Sequence, residues 1–465
     1  MEIGRKDVVW NFAATFMRVA SGVIVLPLVL RMLPSQEVGL WSIFITIGSL
    51  ATLLDFGFSN AFSRNITYIF SGVKTLKSRG YVAVDENDKS IDYGLLKSVI
   101  SAMRRYYGIL AGLFLVLFII LTPYYLSTIL QKYTGNTKEV WIAWFTYGVL
   151  VAYQLYTYYY GALLTGRGFV KKSLQIVVIA QGLRIIITVI FLLCGLGLIS
   201  LVIGMLISDI LNRILSYLAF YDHDIKQQIK KSTMMPVGEV MKIMTPNAVK
   251  IGATTIGGFF INKAVILIAP LYLSLSDIAS YGTTKQMIDL IASLGGIWFS
   301  TYYPKLTLYR VNDDIDSVKR LYIKGKLCLM GVFLVCGAGL ILVGPPLLVW
   351  IHSKTHLLPI LMIAVFLVVA FLEANHGMSA GLLLTKNEVP FVKASIFSGV
   401  AVIALLFYSL KFTTIGIWGM ILAPGIAQAA YQNWKWPLKV ARELGLKMKD
   451  YKNVLWSTLK DGRII

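Results

Sequence analysis

Runs of about twenty apolar residues, separated by short polar turns, recur along the whole chain. That is the length a helix needs to cross the roughly 30 Å hydrocarbon core of a bilayer. The runs cover residues 8–33, 37–60, 106–126, 140–165, 170–194, 198–221, 245–270, 278–303, 327–350, 357–384, 389–410 and 415–437. They predict an all-α integral membrane protein with about 12 transmembrane helices. The polar stretch Asp222 to Lys242, which carries Pro236, splits them six and six. The expected plan is an N-lobe over 1–221, a cytoplasmic linker over 222–242, a C-lobe over 243–441 and a basic cytoplasmic tail over 442–465.

Composition agrees with that pattern. Of 465 residues, 57% are hydrophobic and only 14% charged, and the mean hydropathy is +0.71. These values exclude a soluble enzyme. The net charge of +21 would point to nucleic acid in a soluble domain. Here the charges lie in particular loops, so no nucleic-acid partner is expected. Connections on one side of the runs, with the chain ends, hold 33 Lys and Arg, against five on the other: Arg31, Lys132, Lys138, Lys354 and Lys411. The positive-inside rule then places both termini in the cytoplasm. Arg5 and Lys6 lead into a run longer than a signal-peptide core, read as an uncleaved first helix. Cys194, Cys328 and Cys336 all fall in apolar runs, which predicts small core residues rather than a disulfide framework or metal site.

The chain also echoes itself. The turn Leu33-Pro34-Ser35-Gln36-Glu37-Val38-Gly39-Leu40-Trp41 returns 240 residues later as Leu273-Ser274-Leu275-Ser276-Asp277-Ile278-Ala279-Ser280-Tyr281, with acid, β-branched, small and aromatic residues in order. Gly161-Ala162-Leu163-Leu164-Thr165, followed by Phe169-Val170-Lys171-Lys172-Ser173, returns as Gly381-Leu382-Leu383-Leu384-Thr385, followed by Phe391-Val392-Lys393-Ala394-Ser395. Six runs separate each pair. An even number gives both halves the same topology and predicts two six-helix pseudo-repeat lobes around a central cavity.

Charges interrupt the runs. Arg18, Arg184, Lys250, Lys263 and Lys285, with Asp209, Asp289 and Glu373, lie inside them. Five cations facing lipid would cost about 15 kcal/mol, as much as a whole domain's stability. They must face water or one another.

Several stretches together resemble the Wzx-type polysaccharide flippases of the multidrug/oligosaccharidyl-lipid/polysaccharide exporter superfamily. These are Leu53-Leu54-Asp55-Phe56-Gly57-Phe58-Ser59-Asn60-Ala61, the positions of Pro27 and Pro304, and the two Gly-x-Leu-Leu-Thr turns. The resemblance covers essentially the whole chain. It implies an alternating-access carrier in the bacterial plasma membrane that moves undecaprenyl-pyrophosphate-linked oligosaccharide units for O-antigen, capsule or exopolysaccharide synthesis. Implied partners are that lipid-linked substrate, membrane lipids, and polymerase and chain-length proteins of the same pathway.

A pyrophosphate crossing a membrane needs cations in a wet, shielded site, and Arg binds phosphate oxygens bidentately whereas Lys acts as a point charge. The candidates are Arg18, Arg184, Lys263 and Lys250. Tyr153, Tyr156 and Gln154 are the candidates for lining a sugar site, since phenols both stack and hydrogen-bond. Asp209 and Glu373 are candidates for H+ or Na+ coupling or for charge balance; Lys285 and Asp289, at i, i+4 spacing, are expected to neutralise each other. Asp55 is expected to cap or pair near its helix end, and Arg64 and Arg213 to sit at the interface. No Walker loop, Gly-x-Ser-x-Gly elbow or His-Glu-x-x-His occurs, so neither a cofactor, a metal nor an enzymatic role is expected. Two carriers of the same superfamily, a multidrug or cation antiporter and a lipid II flippase, remain as alternatives, with a membrane glycan polymerase as a third. The five cations against three acids favour an anionic cargo, and the external loops are short for a polymerase.

Overall fold

The structure is a computed structural model. It describes residues 25–56, 58–76, 90–234, 236–385 and 390–460, without the side chains of 52, 60, 61, 243–255, 304, 311 and 457–460. Among these residues every regular element is helical. Each of the twelve expected runs carries helix. Residues 25–32 form α1. The second run is two helices, α2 (Ser35–Leu53) and α3 (Phe58–Phe70); the third is α4 (Tyr93–Leu130). The fourth is also broken, into α5 (Thr137–Thr157) and α6 (Tyr159–Gly166). The fifth and sixth are α7 (Val170–Leu193) and α8 (Ile199–Phe220).

A short amphipathic helix, α9 (His223–Lys231), precedes α10 (Val237–Ile268). Then follow α11 (Leu275–Val311), α12 (Ile315–Trp350), α13 (Ile360–Leu384) and α14 (Val392–Phe412). The twelfth run splits into α15 (Ile417–Ala429) and α16 (Gln432–Glu443), and α17 (Met448–Lys460) forms the tail. Six of these, α4, α7, α8, α12, α13 and α14, are each long and apolar enough alone to cross a membrane. The chain divides into two compact units, Met1–Ile256 and Gly257–Ile465. The division falls inside α10, beyond the polar stretch expected to be the linker.

Helix α4 shows how a membrane span sorts its residues. Leu113, Val116, Leu117, Ile120, Leu121 and Tyr124 are exposed, at spacings of three and four that draw one stripe along the helix. Tyr107, Ala111, Phe114, Phe118 and Leu126 are buried on the other side. An exposed apolar stripe of this length is what lipid covers. The same outward turn explains Cys194. Expected in the core, it is exposed at the end of α7, while Cys328 and Cys336 are partly covered.

The internal echo is structural. In the first unit, the second run packs on the fourth (α2 on α5, α3 on α6), the third on the fourth, and the fifth on the sixth. In the second unit, α11 packs on α13, α12 on α13, and α14 on α15, the same set of neighbours. The repeated aromatic position does one job in both. Trp41 meets Tyr147 edge-on with ring centroids 5.9 Å apart, and Tyr281 stacks on Phe366 at 5.2 Å. The repeated glycine turns pack differently in the two units. Thr165 of α6 shares a hydroxyl hydrogen bond of 2.9 Å with Ser63 of α3. A Cβ at Gly166 would lie 2.6 Å from Ile66 and 2.7 Å from the Ser63 carbonyl, so only glycine fits that crossing. In the second unit, Gly381 lies close to Phe299 of α11, 3.0 Å from where its Cβ would be, whereas its counterpart Gly161 has nothing within 4 Å.

Candidate functional site

The two broken runs and α8 enclose a cavity of about 340 Å³ within the first unit. That is at the lower end of small-ligand pockets, which span about 300–1,000 Å³. Its walls are Gly48, Ala51 and Asp55 from the second run, Val151, Gln154, Leu155, Thr157, Tyr158, Tyr160 and Gly161 from the fourth, and Asp209, Asn212 and Arg213 from α8.

The break after α2 is fixed from outside. Phe56 has φ 47°, a left-handed conformation that costs a bulky residue free energy and needs external support. Two consecutive tyrosines of α4 supply it. The Tyr106 hydroxyl donates to the Leu54 and Asp55 carbonyls at 3.1 and 3.3 Å. The Tyr107 hydroxyl donates to the Asp55 carboxylate, which also accepts from the Ser59 backbone N–H at 3.1 Å and so caps α3. Asp55 is buried.

Three α8 residues share a face because they are spaced i, i+3 and i+4. Asp209 accepts a 2.6 Å hydrogen bond from the Gln154 amide. Arg184, on α7, lies within electrostatic reach of Asp209 and Tyr147 but does not line the cavity. The Gln154 contact draws Asp209 away from Arg213, and the two make no ion pair. Instead Arg213 packs over the Tyr160 ring, and its Nη2 donates to the Tyr159 hydroxyl at 3.4 Å. Its Nη1 is buried with no hydrogen-bond partner. The same Tyr159 oxygen accepts from Arg104 Nε of α4 at 3.2 Å, and Arg104 Nη2 reaches the Tyr221 hydroxyl at 3.4 Å. Two guanidinium groups therefore meet on one phenol oxygen. Unit charges about 6 Å apart repel by at most about 3 kcal/mol at an effective dielectric near 20.

Arg213 was expected at the interface. The structure places it on a cavity wall instead, because it lies one turn along α8 from Asp209 and shares its inward face. Gln154 lies on the same wall, while the tyrosines there are Tyr158 and Tyr160. Tyr153 is half-buried, within electrostatic reach of Arg213 and Asp209, and Tyr156 is 40% exposed. Arg18 and the Lys250 side chain lie outside the described residues.

At the end of this unit that holds its basic connections, Arg167 staples the turn after α6 to the end of α8. Its guanidinium lies 4.3 Å over the Phe169 ring, donates to the Phe220 carbonyl at 2.7 Å and pairs with Asp222 at 2.6 Å. The Ile225 backbone N–H, and after it Arg167, hold the Asp222 carboxyl below its ordinary range.

The second unit gathers the other candidates. Lys285 Nζ donates to both Asp289 oxygens at 2.8 and 2.9 Å, one turn apart on α11. Lys263 of α10 lies within electrostatic reach of Lys285, Asp289 and Glu373. On α13, His376 Nδ1 is 2.8 Å from Asn433 Oδ1 of α16. This cluster holds two cations and two carboxylates and is nearly balanced. In the first unit, Arg213 lines the cavity and Arg104 meets it on the Tyr159 oxygen, and neither makes an ion pair among the described residues.

No family model matches the sequence, and no curated protein matches it. Solved structures match along nearly the full length. A multidrug resistance MATE family transporter of the MOP superfamily, inward-facing, is 16% identical, with a TM-score of 0.66 over 93% of this chain and 94% of its own. The lipid II flippase MurJ, inward closed, is 15% identical, with a TM-score of 0.58 over 97% of this chain and 91% of its own. An outward-facing MATE transporter of the same superfamily is 16% identical and scores 0.55 over 95% and 94%. The chain thus has the all-helical membrane fold seen in MOP-superfamily transporters.

Proposed function

We propose that this protein is a non-enzymatic flippase that carries an undecaprenyl-pyrophosphate-linked oligosaccharide across the bacterial plasma membrane by alternating access. The supporting observation is the sign of the charge held inside the spans. Arg184, Arg213, Lys263 and Lys285 are set there against Asp55, Asp209, Asp289 and Glu373, and Arg104 at the edge of its span gives the cations a small excess. A carrier of cationic drugs would need the opposite balance. The likeness to a lipid II flippase adds that this fold accommodates a lipid-linked cargo. In this reading Arg184, Arg18 and the lysines at 250 and 263 attract the diphosphate. The polar wall of Gln154, Asn212 and Asp209 with Tyr158 and Tyr160 suits sugar hydroxyls. Asp209 and Glu373 balance the cations or take up H+ or Na+. Both termini lie in the cytoplasm.

Deleting the gene should leave lipid-linked repeat units on the cytoplasmic face, read by labelling their sugars in sealed inverted vesicles. Arg184→Ala and Arg18→Ala, at unchanged protein level, should reproduce the accumulation by tenfold or more. Normal surface glycan in the deletion strain would overturn the reading.

A further inference from the structure

We infer that Arg213 and Arg104, joined through the Tyr159 hydroxyl, form a diphosphate-binding clamp at the edge of the first unit's cavity. The inference rests on the flippase reading and names the residues within one lobe that would hold the charged part of its cargo.

Four observations converge on it. First, both guanidinium groups spend one donor on the same oxygen, at 3.2 and 3.4 Å, so they are held as neighbours rather than spread apart. Second, neither forms an ion pair among the described residues, although α8 offers Asp209 one turn from Arg213. That carboxylate is occupied by Gln154 at 2.6 Å. Third, Arg213 keeps Nη1 buried and unpartnered while lining a cavity large enough for a ligand. A buried N–H donor without an acceptor is costly, and a phosphate oxygen removes that cost. Fourth, the rings of Tyr159 and Tyr160 lie against the Arg213 guanidinium. They restrict its orientation, and a pre-oriented planar fork loses less freedom on binding a tetrahedral anion.

The ligand chemistry follows from the count of charges. Two fixed monocations close together suit an anion with two negative groups linked by a short bridge better than a single carboxylate. Asn212 and Gln154 on the adjoining wall are neutral hydrogen-bonding groups, suited to the first sugar attached to a diphosphate. Tyr159 is a positioning residue: its hydroxyl accepts from both arginines and so sets their separation.

The test is binding to the purified full-length protein in detergent, with undecaprenyl pyrophosphate, undecaprenol, phosphatidylglycerol and inorganic pyrophosphate as separate probes. Arg213→Gln and Arg104→Gln should each weaken undecaprenyl pyrophosphate by tenfold or more. The double variant should lose less than the product of the two, because the pair acts as a unit. Arg213→Lys should recover part of the affinity, and Tyr159→Phe should weaken binding severalfold while leaving the thermal midpoint within a degree or two. Undecaprenol should bind all variants alike, and inorganic pyrophosphate should follow the lipid diphosphate in rank order.

Equal weakening of undecaprenol would show a packing defect and overturn the clamp. Phosphatidylglycerol affected as strongly as the diphosphate would also overturn it, in favour of a general phospholipid contact. Wild-type affinity in Arg213→Gln would do the same. The clamp and the flippase reading fail separately. Accumulation in the deletion strain with normal export by Arg213→Gln removes the clamp alone. Intact diphosphate binding with normal surface glycan in the deletion strain removes the flippase reading alone.

Discussion

Single residues decide whether the lobes close. Gly166 sits where α6 crosses α3, and the atoms nearest its absent side chain are Ile66 and a backbone carbonyl. Neither can swing aside, unlike the tip of a flexible side chain. Gly166→Val should therefore cost at least about 2 kcal/mol, read as a lower thermal midpoint in detergent, whereas Gly161→Val, where nothing lies within 4 Å, should cost far less. Asp222 gives a pH-dependent counterpart. Its carboxyl titrates below its ordinary value of 3.8, so it contributes stability above about pH 4 that fades as pH falls through the lower folded value. With its side chain 47% exposed, the contribution is no more than about 1 kcal/mol. Asp222→Asn should lower the midpoint slightly at pH 7 and by less near pH 3. Equal losses at both pH values would show that the Arg167 pair is not the source.

Residues of this kind were only partly visible in the text of the chain. The Lys285 and Asp289 pair could be read from spacing because both lie on one helix. The meeting of Arg104 and Arg213 could not, since 109 positions separate them and the fold alone brings α4 and α8 to the same tyrosine of α6. The one signal for Arg213 was its position one turn from Asp209, which puts both on the same face of an apolar helix.

At the scale of elements, each hydrophobic run falls on helix among the described residues, because bilayer thickness sets the length of such runs. The breaks escaped notice. The fourth run divides at Tyr158 with no proline nearby, and the second divides after Leu53, at Leu54 to Phe56, where apolar text continues on both sides. Both breaks open onto the cavity, and tyrosines of α4 hold the first. Tyr107→Phe would leave the buried Asp55 carboxylate without one donor, a loss of about 1 to 3 kcal/mol. Tyr106→Phe, whose hydroxyl reaches only carbonyls, should cost less. The difference between the two midpoints checks which tyrosine fixes the break. The tail is anchored by charge. Arg310 at the end of α11 lies 2.6 Å from Glu443 of α16, with side chains 9% and 20% exposed, and Lys319 of α12 pairs with Asp450 of α17 at 2.7 Å. Removing Glu443 strands a mostly buried guanidinium. Glu443→Ala should therefore destabilise by about 3 kcal/mol and quicken limited proteolysis of the tail, while Asp450→Ala, whose partner Lys319 is more open than Arg310, should chiefly do the latter.

For the whole molecule, the two echoes in the sequence, around Trp41 and Tyr281 and at the two glycine turns, were enough to foresee two lobes of equal topology. The same neighbour pairs within each unit bear that out. The cavity found in the first unit was not foreseeable, because it depends on where helices break rather than on where they run. Orientation rests on the count of basic residues, and the wild-type chain contains what is needed to check it. Cys194 stands exposed beside the Gly195 to Gly197 turn, while the other two thiols are half-covered. A maleimide that cannot permeate membranes should modify this thiol in intact spheroplasts, and Cys194→Ser should abolish the adduct. If the adduct forms only after the membrane is opened, the assigned sidedness is reversed. The exposed turn that ends α7 and leaves this sulfur outside the core thus gives the protein a native reporter of its own topology.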